Sequence, residues 1–329
     1  MSLTQLVAKW QKSPLYADLT TAINTAYTTG EFKFRNMGVG FWPDAQVSLE
    51  DHGLFAGGVC MRQADSLTAG RPTIDGVTLE HPLTKTWAGL VLASLMQNKT
   101  FSTNKYVISP YTDSPAKWFL GMETGYAETG SEKGIWNAHG YVARKVKINL
   151  PVVGADGGKA TIGTEFIGRD SADADAATST AGAADTDAPL MTKDFALTIG
   201  GAASSFVSAD ITLDTKAAVV PSAAALPEAI QLGDLEISGN LTLLFDADST
   251  ASLGYTTARA AQKAGTALAL VFTHSSFKMT FSAKLGPSGP PSEQGNSLVV
   301  AYPITGVYVG VASPQFEVAA ASDIFASWT

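Results

Sequence analysis

The chain has 329 residues, 45% of them hydrophobic, with a formal net charge of -8 and a pI near 5.0. That length exceeds the roughly 250 to 300 residues at which one hydrophobic core stops growing, so two domains are expected. The acidic balance argues against nucleic-acid binding through a basic surface, because an acidic wall repels phosphate.

Cys60 is the only cysteine, so no intrachain disulfide can form, and it reads as a small, partly buried hydrophobe. The N-terminus, Met1 to Trp10, lacks the pattern of a signal peptide, because Lys9 interrupts a short apolar run and no small-residue cleavage site follows. No run of about 18 apolar residues offers a membrane span, and no membrane partner is expected.

The first 30 residues read as a polar, helical lead-in, with Ala22, Ile23, Ala26 and Tyr27 spaced along one helix face. A β-rich region opens at Phe32, and residues 73–79 form a plausible strand ending at Pro82. Leu83, Trp87, Leu90, Val91 and Leu95 then fall on one stripe of an amphipathic helix over 83–97, expected to pack across a sheet. Strands follow around 106–111 and 118–122.

Two longer stretches alternate with a period of two, the signature of a strand with one face buried and one face wet. In the first, Val142, Val146, Ile148 and Leu150 alternate with Lys145, Lys147 and Asn149, and a Gly-rich turn leads to Ile162, Thr164 and Phe166. In the second, Val207, Ala209, Ile211 and Leu213 alternate with Ser208, Asp210, Thr212 and Asp214, and a longer loop leads to Leu235, Ile237, Gly239, Leu241, Leu243 and Phe245.

Between these hairpins, residues 168–190 are small, polar and acidic, and read as a linker or mobile loop. After the second come a helix near 249–264, strands at 268–272 and 277–281, and an exposed loop at 286–295. Strands at 299–304, 307–311 and 316–318 end the pattern. Strand, helix and further strands occur in the same order in both halves, which points to duplication.

The search for catalytic chemistry finds little. His52, His81, His139 and His274 stand in no short ligand pattern and read as surface or capping residues. Asp170, Asp173 and Asp175 lack the central Gly and closing acid of a calcium loop. Ser-x-x-Lys occurs at 102–105, 114–117 and 275–278, too often in a Ser-rich chain to carry weight, and no Gly-x-Ser-x-Gly elbow or phosphate loop accompanies it. Gly-Val-Gly-Phe-Trp-Pro43 lacks the third glycine of a dinucleotide fingerprint and reads as a turn. Trp87, Trp118 and Trp136 read as core anchors or subunit contacts. No cofactor, catalytic group or metal site is expected, and the chain reads as a non-enzyme.

The segment Gly140-Tyr-Val-Ala-Arg-Lys-Val-Lys-Ile-Asn-Leu-Pro151, with Ala160-Thr-Ile-Gly-Thr-Glu-Phe-Ile-Gly-Arg-Asp170 after it and Gly233-Asp-Leu-Glu-Ile-Ser-Gly-Asn-Leu-Thr-Leu-Leu-Phe245 later, resembles the major tail tube proteins of long-tailed, siphovirus-like bacteriophages over about residues 35–320. The resemblance implies a mainly β fold of two tandem tail-tube-type β-sandwich or barrel domains, each flanked by a helix. They occupy residues 1–169 and 191–329, with 170–190 as linker.

It also implies a structural virion protein, made in the host bacterial cytoplasm and placed in the tail, whose rings stack into a hollow conduit that DNA crosses without specific binding. Most relatives carry one domain and form hexamers, so a two-domain chain implies a trimeric ring with pseudo-sixfold symmetry, the hexamer being the alternative. Other implied partners are the tape measure, tail tip and terminator proteins. The candidate lumen or subunit-contact face comprises Lys145, Lys147, Glu165, Asp210, Asp214 and Glu236. Two other classes compete: a carbohydrate-binding or surface β-sandwich module, and a hydrolase using acids such as Asp44, Glu50 or Asp51.

Overall fold

The computed structural model describes residues 14–20, 32–35, 46–51, 67–111, 116–126, 134–154, 157–174, 183–184, 187–220, 228–245, 253–294, 297–307 and 314–320. The fold is mainly β and antiparallel.

The chain opens with β1 (Pro14–Thr20), β2 (Phe32–Arg35), β3 (Gln46–Asp51) and the long β4 (Leu67–Pro82), which runs into helix α1 (Lys85–Met96). The hairpin β5 (Asn98–Ser102) and β6 (Lys105–Ser109) follows, then β7 (Phe119–Tyr126), β8 (Gly134–Leu150), β9 (Thr161–Gly168), β10 (Asp170–Ala174) and β11 (Ala183–Ala184). A 3-10 turn (Thr192–Asp194) precedes β12 (Ala196–Ile199), β13 (Ala202–Ser204), β14 (Phe206–Asp214), β15 (Ala218–Val219) and β16 (Ile230–Gln231). Next comes β17 (Glu236–Leu244), which is followed by helix α2 (Leu253–Ala264). The last strands are β18 (Leu268–Thr273), β19 (Phe277–Leu285), β20 (Ser292–Gln294), β21 (Ser297–Gly306) and β22 (Gln315–Ala319).

Among the described residues β15 and β16 pair only with each other, and the other strands form one connected network with three main parts. One runs β4–β9–β8–β14–β17–β21, every neighbour antiparallel. A second runs β5–β6–β22–β19–β18–β12–β13 and joins the first where Ala283 to Leu285 of β19 pair with Gly306 to Ile304 of β21. The third is β2–β1–β7 against the N-terminal half of β8, with β10 also paired to β8. Strand β8 serves two sheets because it bends: Gly140 has φ 69°, a left-handed conformation that glycine adopts without Cβ strain.

Helix α1 sits among these sheets, against β8, β6, β22, β1, β5 and β7. Thr86 through Met96 are all buried, so the expected single stripe is in fact a helix apolar on every side, as a helix enclosed by sheets must be. Thr84 caps its start by accepting from Trp87 N, and Gln97 ends it at φ 60°. The Gln97 side chain accepts from the Lys117 and Trp118 amides at 2.7 and 2.6 Å and donates to the Trp118 carbonyl at 2.8 Å, fixing the helix end to the next segment. Helix α2 falls where the sequence places a helix near 249–264, and residues 249–252 lie outside the described residues. It is amphipathic and lies on β12, β13, β17 and β19.

One apolar cluster extends from Ala17 to Ala320 and includes residues of both halves of the chain. A smaller cluster around Phe119, Val142, Ile167, Ile230 and Leu232 lies beside it. Each Val, Leu, Ile or Phe buried there contributes on the order of 1.5–3 kcal/mol of transfer free energy.

Several local expectations change. The helical lead-in gives way to strand β1 over residues 14–20, because β2 and β7 supply backbone partners on both of its edges; Ala22, Ile23, Ala26 and Tyr27 lie outside the described residues. Within the 170–190 segment, Asp170 to Ala174 form β10, so Asp170 and Asp173 sit in a strand rather than a loop, and Asp175 lies outside the described residues. At the segment's other end, Asp187 accepts from Thr86 N and Thr86 Oγ1 at 3.1 and 2.6 Å and pairs with Lys85 at 3.1 Å, holding the start of α1. Ser292 to Gln294, expected as loop, form β20. Of the 307–311 strand, only Val307 is described, just after β21.

His81 is buried rather than superficial, at 5% exposure. Its Nδ1 donates to the Pro82 carbonyl at 2.7 Å and its ring lies 5.4 Å from that of Trp87. Burial holds its pKa below the ordinary 6.5, the Pro82 carbonyl opposing and Lys159 adding to the effect. A depressed folded-state pKa means that the unfolded chain takes up the proton first as pH falls. Stability is therefore full above pH about 6.5 and is lost as pH drops through the folded-state value. Urea midpoints are expected to fall between pH 7 and pH 5, and His81→Phe is expected to flatten that dependence.

Candidate functional site

The most distinctive surface is the polar face of the β4–β9–β8–β14–β17–β21 sheet. Alternation in each strand puts Leu79, Ile162, Phe166, Val146, Ile148, Ile211, Leu213, Ile237 and Leu241 on the core side. The residues that alternate with the core side face the other way, and the strand register sorts them into rows.

The first row reads Thr78, Glu165, Lys145, Asp214, Glu236; the second Glu80, Gly163, Lys147, Thr212, Ser238, Thr305; the third Pro82, Thr161, Asn149, Asp210, Asn240, Pro303. All six residues singled out from the sequence, Lys145, Lys147, Glu165, Asp210, Asp214 and Glu236, thus share this one face. The sequence reading missed Thr78, Glu80, Asn240 and Thr305. The first two carried a signal, since they alternate with Val77 and Leu79.

Electrostatics within the face are local. Lys147 pairs with Asp210 at 2.7 Å, Lys216 pairs with Glu236, and Arg144 lies 3.8 Å from Glu165. Asp214 and Glu236 are directly opposite, an unfavourable like-charge pair. Lys145 on the other side of Asp214 and Lys216 at Glu236 offset it. These pairs are solvent-exposed and screened, so they do not hold the sheet together.

That work falls to the apolar side of the seam, where Val146 faces Leu213, Ile148 faces Ile211 and Leu150 faces Ala209. Beyond the ladder's end, Thr215 donates to the Arg144 carbonyl through both its amide and its hydroxyl, at 2.9 and 3.0 Å.

The other motifs dissolve into structure. Ser102 to Lys105 is the β5–β6 turn, with Thr103 and Asn104 at φ 52° and 60°. Ser275 and Ser276 form the β18–β19 turn, where His274 Nδ1 accepts from Ser276 N at 3.1 Å. Ser114, Pro115, Asp44, Cys60, His52 and residues 38–43 lie outside the described residues, as do the side chains of His139, Trp136, Glu50 and Asp51. Trp87 is fully buried and Lys99 Nζ stands 4.2 Å from the centre of the Trp118 ring, so neither offers the open aromatic platform of a glycan site. Among the described residues no group of three or more His, Cys, Asp or Glu side chains could hold a metal, and no helix is long and apolar enough to cross a membrane.

A broad polar sheet face over a continuous core is the geometry of a wall. A family model described as phage tail tube protein matches residues 12–306. The chain belongs to the phage tail tube protein family. No curated protein sequence matches it. As a tail tube protein it is a structural tail component that assembles with itself into a tube.

Proposed function

We propose that three copies close a non-catalytic ring in which this sheet becomes the wall of the DNA conduit, its polar face toward the lumen, and that residues 1–169 and 191–329 are two copies of one tail-tube unit. The observation that carries the reading is a repeated set of strand pairings. In the first half β3 pairs with β4, β4 with β9 and β9 with β8, while α1 follows β4 and the hairpin β5–β6 follows α1. In the second half β14 pairs with β17, β17 with β21 and β21 with β20, while α2 follows β17 and the hairpin β18–β19 follows α2. Chain order and pairing order agree for these strands, with two differences: β3 meets residues 67–73 of β4 while β9 meets residues 74–82, and β7 has no counterpart in the second half.

The two sets meet where β8 pairs with β14, the last strand of one with the first of the other. Applied once more, the same relation puts β20 of one copy beside β3 of the next. Each set has four strands, an even number, so stepping from set to set preserves strand direction and the ring closes with every pair antiparallel. It also removes free sheet edges, a liability that closure alone abolishes.

Three chains of eight strands at about 4.8 Å spacing give a backbone diameter of about 37 Å before tilt widens it, which leaves room for duplex DNA between the lining side chains. Glu80, Glu165, Asp210, Asp214 and Glu236 against Lys145 and Lys147 make a lining that lets phosphate pass without capture. On this reading the partners at the tube's ends are the tail tip and terminator proteins, and the tape measure protein occupies its lumen.

Electron microscopy of the purified full-length protein at high concentration tests this. Hollow tubes with three-fold class averages are expected. Six-fold averages overturn the three-copy ring, and a protein that stays monomeric at every concentration overturns self-assembly.

A further inference from the structure

The surface of the described residues exposes three large apolar side chains, Val152, Val153 and Leu298, at 43%, 46% and 44%. All three stand at the same end of the sheet. Val152 and Val153 follow Leu150, the last residue of β8, and Leu298 precedes Val299, which pairs with Leu244 at the end of β17. The register brings these ends together, since Leu150 faces Ala209, Ala209 faces Leu241, and Leu243 faces Val300. Val152 and Val153 lie in the β8–β9 turn, whose Gly157 is covered by the Lys193 stem.

The opposite end of the same strands is concave. A groove there is lined by Pro110, Tyr111, Asp234, Leu235, Val307 and Pro314, at the start of β17 and the end of β21. Knob and groove are separated by the length of a nine-residue strand, about 30 Å. Their charges differ in sign as well, with exposed Lys159 and Lys193 beside the turn and exposed Asp234 on the groove.

A projecting patch at one end and a recess at the other cannot satisfy each other within one chain. A second copy displaced along the strands brings them together, and such a head-to-tail contact does not close on itself but extends without limit. We propose that this is the contact between successive rings: the Val152–Val153 turn of one copy seats in the Tyr111–Leu235–Val307–Pro314 groove of a copy in the next ring. The turn and the groove lie on strands three places apart, an offset of about 14 Å that rotation of one ring on the next supplies. This assignment rests on the tube reading above and adds the residues that stack it.

Two variants of the full chain test it. Val152→Asp with Val153→Asp alters only exposed side chains of a turn, so its melting temperature is expected to match wild type while tube yield in micrographs falls at least tenfold and single rings persist. In a Cys60→Ser background, Val153→Cys combined with Val307→Cys is expected to give, on oxidation of assembled tubes, a ladder of disulfide-linked chains, with no ladder from either single cysteine. Tubes that form normally from the aspartate variant, or tubes of the double-cysteine protein that yield no ladder, overturn the stacking contact and leave the ring reading standing. A Val153→Cys protein that cross-links by itself overturns head-to-tail polarity. Wild-type protein that forms no tubes overturns both.

Discussion

Gly239→Val is expected to be the most damaging single substitution in the β4–β9–β8–β14–β17–β21 sheet, costing about 3–5 kcal/mol and the bulk of the soluble yield. Gly239 lies in β17 between Ile211 of β14 and Ile304 of β21. A Cβ placed on it stands 1.9 Å from the Asp210 carbonyl oxygen, 2.9 Å from the carbonyl carbon and 3.1 Å from Ile211 Cα. Those atoms are backbone, so no rotamer change relieves the overlap and the β14–β17 ladder must part. Because β14 also carries the seam to β8, the fault spreads to the junction between the two halves. Ser238→Ala on the wet face of the same strand is expected to melt with wild type, which separates a general effect of mutating β17 from the close approach at 239. Gly239→Ala that melts like wild type would show that the strands can move apart freely.

This glycine also marks what sequence pattern conveys and what it does not. In the run Leu235, Ile237, Gly239, Leu241, Leu243, alternation places Gly239 on the core side, and that placement is correct. The pattern is silent on why a residue with no side chain should stand there; the reason is the Asp210 backbone on the neighbouring strand, visible only after pairing. The same division holds elsewhere. Alternation alone puts Lys145, Lys147, Glu165, Asp210, Asp214 and Glu236 on wet faces, since a period of two is local information. That all of them share one face depends on the β8–β14 ladder, which is long-range register.

Strands β1, β3, β10 and β20 escape the pattern for a related reason. They are short or weakly alternating and owe their conformation to partners such as β7, β4, β8 and β21. Helix α1 is legible as a helix from its 3.6-residue spacing, yet its burial on every side follows from sheets that the spacing does not reveal.

Reversing the charge of the polar face is expected to convert it into a DNA-binding surface. The triple variant Asp210→Lys, Asp214→Lys, Glu236→Lys replaces three carboxylates by ammonium groups beside Lys145 and Lys147, and it removes the Lys147–Asp210 and Lys216–Glu236 pairs. Because those pairs are solvent-exposed, their loss costs little stability, and the repulsion added among lysines is screened by salt, so tubes are expected still to form at moderate ionic strength. Affinity for DNA changes far more. Each lysine that neutralises a phosphate releases a counterion, so binding is expected to be far stronger than in wild type at low salt, its logarithm falling linearly with log salt by about 0.9 per contact. A ring multiplies the contacts by its number of chains. Filter binding across a salt series measures the slope, and nuclease treatment locates the DNA. Tubes that retain a nuclease-resistant fraction place the face in the lumen. DNA bound tightly but fully digested would place the same residues on the outside of the tube, and the conduit would then have to be lined by the opposite side of the wall.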